Sequence, residues 1–161
     1  MFLRRRKIFF RACVHTPMLF CVTPKSLFIW IGLPNGMMSF LDTHVVMWLY
    51  KKAFDQFSST ARTMLDDHEL FISPIVLLEL QYLYESRRIA PQSIEVLHEL
   101  EETAGLRVAD DDWEQVIRIT LDLSWTRDPF DRCIVAHAKL RDAPVITKDH
   151  AILEHYEHAV W

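Results

Sequence analysis

The sequence predicts an α/β domain with a parallel sheet and helices on both faces, on three observations. The chain has 161 residues, half of them hydrophobic and a quarter charged, which suits a single globular core. From Met38 onward, short apolar runs alternate with longer segments of helical periodicity, the pattern of strands joined by crossover helices. The run Pro144-Val145-Ile146-Thr147 reads as a buried strand, as the interior of such a sheet requires. In such sheets function sits at the carboxyl ends of the strands.

Taken in order, Ser39-Phe40-Leu41 reads as the first strand, ending at Asp42, and Thr43 opens a helix to about Tyr50. A short helix over 58–67 precedes the second strand, Leu70-Phe71-Ile72. Ser73-Pro74 starts the next helix, with Ser able to cap and Pro suited to the first helical position; it runs to about Ser86. Another helix is expected from Pro91 to Thr103. Gly105 breaks the chain before the third strand, Leu106-Arg107-Val108. Trp113, Val116, Ile117 and Thr120 give 111–123 a helical period. Asp128-Pro129 starts a helix reaching about Arg141, Pro144–Thr147 forms a strand, Ala151–Glu154 a helical turn, and 158–161 the last strand.

Composition excludes several chemistries. The chain has three glycines, Gly32, Gly36 and Gly105, too few for a Walker loop or a dinucleotide fingerprint, both of which bring backbone close to phosphates. Three cysteines without a C-x-x-C make neither a paired framework nor a cysteine-built zinc site, and point to a reduced, cytoplasmic setting. Charge is unevenly spread. Residues 1–37 carry six bases and no acid, whereas 38–161 hold the other 12 bases and all 22 acids, a formal −10. A domain so acidic needs local cations or metal ions to meet a nucleic acid.

Residues 1–37 are expected to be an amino-terminal extension, either lying upstream of a true start at Met37 or Met38 or disordered; 38–161 form the working domain. The uncharged stretches of the extension are broken by Pro17 and by Pro34-Asn35-Gly36, and fall short of the ~18 residues of a membrane span. No membrane association is expected.

Four acids stand where apolar sequence calls for something cheaper. Asp42 and Asp149 each follow the carboxyl end of a strand; each has an ordinary explanation, Asp42 as a helix cap and Asp149 as a turn acid. Glu79 shares a helix face with Ile75, Leu78 and Tyr82, where an unpartnered carboxylate is costly. Asp131 follows Asp128 by three residues; as cap and third helical position the pair suits the helix dipole, although one acid suffices for that. The run Asp110–Asp112 reads as solvated surface. Three of these acids fall at one sheet edge and the fourth leans in from a helix. Clustered carboxylates repel unless a cation intervenes, and hard, oxygen-loving Mg²⁺ or Mn²⁺, one ion or two, is the economical solution. Such ions activate water and stabilise phosphoryl charge, the chemistry of a phosphodiesterase without a protein nucleophile.

The strings Phe40-Leu41-Asp42-Thr43-His44, Ser73-Pro74 with Leu78-Glu79-Leu80, Arg127-Asp128-Pro129-Phe130-Asp131-Arg132 with Ala136-His137-Ala138, and Ile146-Thr147-Lys148-Asp149 together resemble the PIN-domain ribonucleases. The nearest branch is the VapC-type toxins of type II toxin–antitoxin pairs. This resemblance spans 38–161 and implies a three-layer α/β/α fold with five parallel strands in the order 3-2-1-4-5. It implies catalytic and metal-holding roles for Asp42, Glu79, Asp131 and Asp149, with Asp128 as an outer ligand or only a cap, and Thr147 and Thr43 in support. It further implies a metal-dependent endoribonuclease acting on RNA, such as tRNA or another structured RNA, a homodimer, and inhibition by a cognate antitoxin.

Other residues stay open between function and packing. Arg127 and Arg132 flank the acids and are candidates for substrate phosphate. Trp125 offers a stacking surface or a core residue. His44 and His137 are candidates for proton transfer, His137 also for packing. His155 and His158 form an H-x-x-H without further ligands for zinc, and Cys133 reads as core. Two other functions compete. In an aspartyl-phosphate phosphatase of haloacid-dehalogenase type, Asp42 would be the nucleophile, yet the second acid expected two residues later is His44. A catalytically degenerate interaction module would keep the fold without turnover.

Overall fold

A computed structural model of the protein describes residues 37–161. The expectations for residues 1–36 lie outside the described residues.

Five strands form one parallel sheet: β1 (Met38–Leu41), β2 (Glu69–Ile72), β3 (Arg107–Val108), β4 (Val145–Ile146) and β5 (Ala159–Val160). Their order is β3-β2-β1-β4-β5. In β1, Phe40 is in register with Phe71 of β2 and Val145 of β4, and Leu41 with Ile146 of β4. Seven α-helices join them: α1 (Thr43–Tyr50), α2 (Ser59–Asp67), α3 (Pro74–Glu85), α4 (Ser93–Ala104), α5 (Trp113–Asp122), α6 (Pro129–Leu140) and α7 (His150–His155). A 3₁₀ turn at Phe54–Gln56 leads into α2. The result is the expected three-layer α/β/α arrangement.

Apolar strands drive this packing. Phe40, Leu41, Ile72, Val145 and Ile146 are essentially inaccessible, and Val46, Val76, Leu80, Ile134 and Ile152 press on them from the helices. Burying each such side chain contributes about 1.5–3 kcal/mol. The central helix α6 touches α3, α5, β1 and β4, while α1 packs on α3 and α4.

Two helices start two residues later than expected, and the other helix starts fall within one residue. Pro91 lies outside α4, which begins at Ser93: Gln92 and Glu95 form a reciprocal capping box that satisfies the first-turn N–H groups better than the proline does. Helix α5 begins at Trp113, because Asp112 accepts the Glu114 N–H and so takes the cap position. At the end of α4, Gly105 adopts φ 68°, a left-handed turn that other residues enter only with strain.

Strand order positions the site. Because β1 lies between β2 and β4, the carboxyl ends of all three strands open on the same edge, at the point where the winding reverses. Asp42 follows β1, Ser73 follows β2, and Thr147 with Asp149 follows β4.

Candidate active site

Two residues at this edge occupy helix-cap positions without capping. Asp42 precedes α1 with extended backbone, but its carboxylate accepts no N–H from the first turn. It turns to the neighbouring strand instead, where Thr147 Oγ1 donates to Asp42 Oδ2 at 2.8 Å. Asp42 is only 4% exposed. The same Thr147 oxygen accepts the Asp149 N–H at 2.9 Å, so one hydroxyl sets the positions of two acids. The cap role open to Asp42 in the sequence is therefore not the one it performs.

Asp149 does cap: its Oδ1 accepts the N–H groups of Ala151 and Ile152 at 2.8 and 3.1 Å, which leaves Oδ2 outside the cap. The carboxylate is thereby fixed rather than loose, as an ordinary turn acid would be. Asp128 caps α6 through Oδ1, accepting the Phe130 N–H at 2.8 Å. Across from Asp42, Glu79 is half-buried on α3 and receives Thr43 Oγ1 at 2.5 Å. Thr43 and Thr147 thus hold two carboxylates from two elements.

Asp131 sits in the first turn of α6, among the other acids. Burial, then the charges of Asp128, Asp149, Asp42 and Glu79, push its carboxyl up to about 7. Glu79 is also raised, first by burial and then by Asp42 and Asp128, with the Thr43 hydroxyl acting in the opposite direction. The imidazole of His44, exposed at the rim, places Nδ1 3.8 Å from Asp42 Oδ2. The nearby Asp42 carboxylate raises its pKa, against burial and with help from the charges of Glu79 and Asp149. Asp131 therefore feels the charges of Asp42, Glu79, Asp128 and Asp149 together.

The donor set suits a hard divalent cation: it is made of carboxylate oxygens, carries surplus negative charge, and has two members, Asp131 and Glu79, pushed toward protonation by burial and by neighbouring acids. Among the described residues, no three His, Cys, Asp or Glu side chains close on a single point. Mg²⁺ does not require that, since it keeps several waters and takes one or two carboxylates directly.

The remaining candidates have well-defined neighbours. Arg132 Nε donates to the Thr126 carbonyl at 2.6 Å and so braces the turn before α6, while Arg127 is exposed beside Asp128. Trp125 stacks on His155, with centroids 5.3 Å apart and planes 13° from parallel. His158 lies beside Tyr156 and Glu157. Cys133 is buried in α6, where burial raises its thiol.

His137 is fully buried behind the site. Its Nε2 lies 2.9 Å from Asp111 Oδ2 and its Nδ1 3.1 Å from Ser73 Oγ. With a carboxylate at Nε2, the neutral ring carries its proton there and accepts the Ser73 hydroxyl at Nδ1. Ser73 is thus a second cap residue whose side chain is diverted, making no cap bond to α3. Asp111 corrects the expectation of a solvated run: it also accepts Arg141 Nε at 2.6 Å, whereas Asp110 is exposed and Asp112 caps α5. Burial opposes ionisation of Asp111, but hydrogen bonds from Arg141 and His137 outweigh it and hold the carboxyl below the ordinary range. Sequence carried no signal for this partnership, because 26 positions separate Asp111 from His137.

Comparisons with known proteins agree with this architecture. Residues 39–158 match the PIN domain family. Among solved structures, VapBC2 from Rickettsia felis bound to a DNA fragment from its promoter superposes with a TM-score of 0.55 at 20% identity, covering 73% of this chain and 92% of that one. DNA-bound VapBC from Salmonella typhimurium gives 0.52 at 22% identity, with 76% and 95% covered. A toxin–antitoxin complex from Klebsiella pneumoniae gives 0.52 at 15% identity, with 76% and 96% covered. At these identities the likeness is one of fold. No curated protein matches the sequence significantly. With the family match spanning most of the chain and the strand order matching the expected one, this chain belongs to the PIN domain family.

Proposed function

We propose that the protein is a Mg²⁺- or Mn²⁺-dependent endoribonuclease, acting as the toxin of a toxin–antitoxin pair and hydrolysing RNA phosphodiester bonds. The observation that carries this reading is the state of Asp131. Its carboxyl is pushed up to about 7 by burial and by four acids from other parts of the same pole. A fold maintains such repulsion where a cation is needed.

Asp42, Glu79, Asp131 and Asp149 would hold the metal, with Asp128 at the outer edge. A bound divalent ion supplies a more acidic water and positive charge against the phosphoryl oxygens. The chain's own part is preorganisation. Thr147 orients Asp42 and anchors the Asp149 backbone, Thr43 orients Glu79, and the α7 cap immobilises Asp149. Rigid acids keep the reacting groups in line, which is where positioning lowers a barrier. Arg127, exposed next to Asp128, is the arginine best placed for a substrate phosphate.

The toxin assignment rests on the family and on neighbours of the same fold that are toxin–antitoxin complexes. A cognate antitoxin, self-association as a homodimer, a structured RNA such as tRNA as substrate, and a cytoplasmic location follow from that assignment as parts of the proposal. Among the described residues, no helix is long and apolar enough to cross a membrane.

The test is incubation of the full chain with total RNA in Mg²⁺ or Mn²⁺, in EDTA, and as Asp131→Asn. Discrete cleavage that vanishes in EDTA and in the variant supports the reading. Cleavage indifferent to both places the chemistry elsewhere. Absence of cleavage together with absence of metal binding favours the interaction module.

A further inference from the structure

An aromatic surface adjoins the acidic pole on the β4–β5 side. Trp48 of α1 and Trp161, following β5, have ring centroids 5.4 Å apart, and Phe57 supports both at 6.1 and 5.9 Å. The ammonium of Lys148, between Thr147 and Asp149, stands 5.8 Å from the Trp48 ring centre and 5.4 Å from that of Trp161. Both tryptophans are half-buried and Lys148 is exposed, so solvent reaches this surface. The surface is continuous with the acids. His44 lies 6.2 Å from Trp48 on one side and 3.8 Å from Asp42 on the other, and Thr147, which bonds Asp42, adjoins Lys148.

We propose that this surface binds an unpaired nucleotide of the substrate RNA next to the scissile bond, the base against Trp48 and Trp161 and the phosphate against Lys148. The proposal rests on the nuclease reading above. Three considerations carry it. The domain is strongly acidic, so a polyanion arriving at the acids needs a local cation, and among the described residues no carboxylate pairs with Lys148. A lysine resting on aromatic faces is weakly held and can exchange the rings for a phosphate, freeing a face for a base. Base faces are covered in a duplex and become available to aromatic side chains only in unpaired segments, so the surface selects single-stranded positions.

The test uses the full chain carrying Asp131→Asn, in Mg²⁺, with two fluorescein-labelled probes of equal charge: an oligoadenylate and an abasic oligomer of the same length. The abasic probe has phosphates but nothing to stack. The Asp131→Asn protein is expected to bind oligoadenylate about tenfold more tightly than the abasic probe. Adding Trp161→Leu removes that preference, and Trp161→Tyr restores most of it. Adding Lys148→Ala weakens both probes and lowers the slope of log affinity against log salt by about 0.7. Circular dichroism confirms that each variant is folded, and if Trp161→Leu fails to fold, Trp161→Tyr and Lys148→Ala carry the test.

Equal affinity of the Asp131→Asn protein for the two probes overturns the proposal, as does an unchanged salt slope in Lys148→Ala. Cleavage of total RNA by the wild type, assayed in parallel, separates this outcome from failure of the nuclease reading. Metal-dependent cleavage without a base preference leaves the nuclease and removes the nucleotide site. Base preference with neither cleavage nor metal binding removes the nuclease, and with it the placement of the nucleotide beside a scissile bond, leaving a nucleotide-binding surface alone.

Discussion

Replacing Asp131 with Asn should stabilise the metal-free protein at alkaline pH and leave it unchanged in acid. The carboxyl titrates near 3.8 when free and near 7 in the fold, raised by burial first and then by Asp128, Asp149, Asp42 and Glu79. Between those two values the folded state binds more protons than the unfolded state, so stability falls as pH rises. Each pH unit separating the two values corresponds to about 1.4 kcal/mol, which puts a ceiling of about 4 kcal/mol on the penalty above pH 7. Asp131 is partly solvated and its neighbours are screened, which brings the realised penalty to about 1–2 kcal/mol. Asn has the shape of the carboxyl group and, like its protonated form, carries no charge. Thermal unfolding followed by circular dichroism in EDTA should therefore show the variant melting about 4–8 °C above wild type at pH 8 and together with it near pH 4. Added Mg²⁺ or Mn²⁺ should raise the wild-type midpoint and close the gap at pH 8, as expected of a ligand bound by the folded state. A variant less stable than wild type at pH 8, or a gap independent of pH, would refute the argument that Asp131 lies in an uncompensated field.

The other predictions probe neighbouring parts of the same architecture. Thr147→Val removes the donor to Asp42 Oδ2 and the acceptor of the Asp149 N–H while keeping the shape, so RNA cleavage should fall about tenfold or more with the fold preserved. Asp111→Ala leaves buried His137 and Arg141 without their shared carboxylate and should cost about 2–4 kcal/mol in urea unfolding, although Asp111 lies outside the acid cluster. His137 is held below its ordinary value by burial, against the pull of Asp111, and Asp111 itself is held low. Both groups stabilise the fold above their unfolded values and lose that contribution as pH falls, His137 from about 6.5 downward and Asp111 from about 3.8. Asp111→Ala should accordingly flatten acid unfolding at the lower end. Gly105→Ala, at φ 68° with nothing within 4 Å of an added Cβ, should cost about 1 kcal/mol from backbone strain alone, visible as a lower melting midpoint with cleavage unchanged.

By itself the sequence determined the strand order's prerequisites and the identity of the acids. Short apolar runs such as Val145-Ile146 suit strands covered on both faces, and their alternation with helices favours a parallel sheet. Asp42, Glu79, Asp131 and Asp149 stood out because a charge in apolar surroundings is expensive wherever the chain goes. Tertiary structure decided what those groups and their neighbours do. Asp42 and Ser73 both read as helix caps from local sequence, yet each turns its side chain to a partner far along the chain, Thr147 and His137. Asp111, one of three consecutive acids, became the only one tied to a buried histidine. Trp48, Lys148 and Trp161 form one surface only after the sheet brings α1, the end of β4 and the end of β5 to the same edge. Local pattern reports the cost of placing a residue in an environment, whereas choice among competing hydrogen-bond partners depends on distances that exist only once the chain has folded.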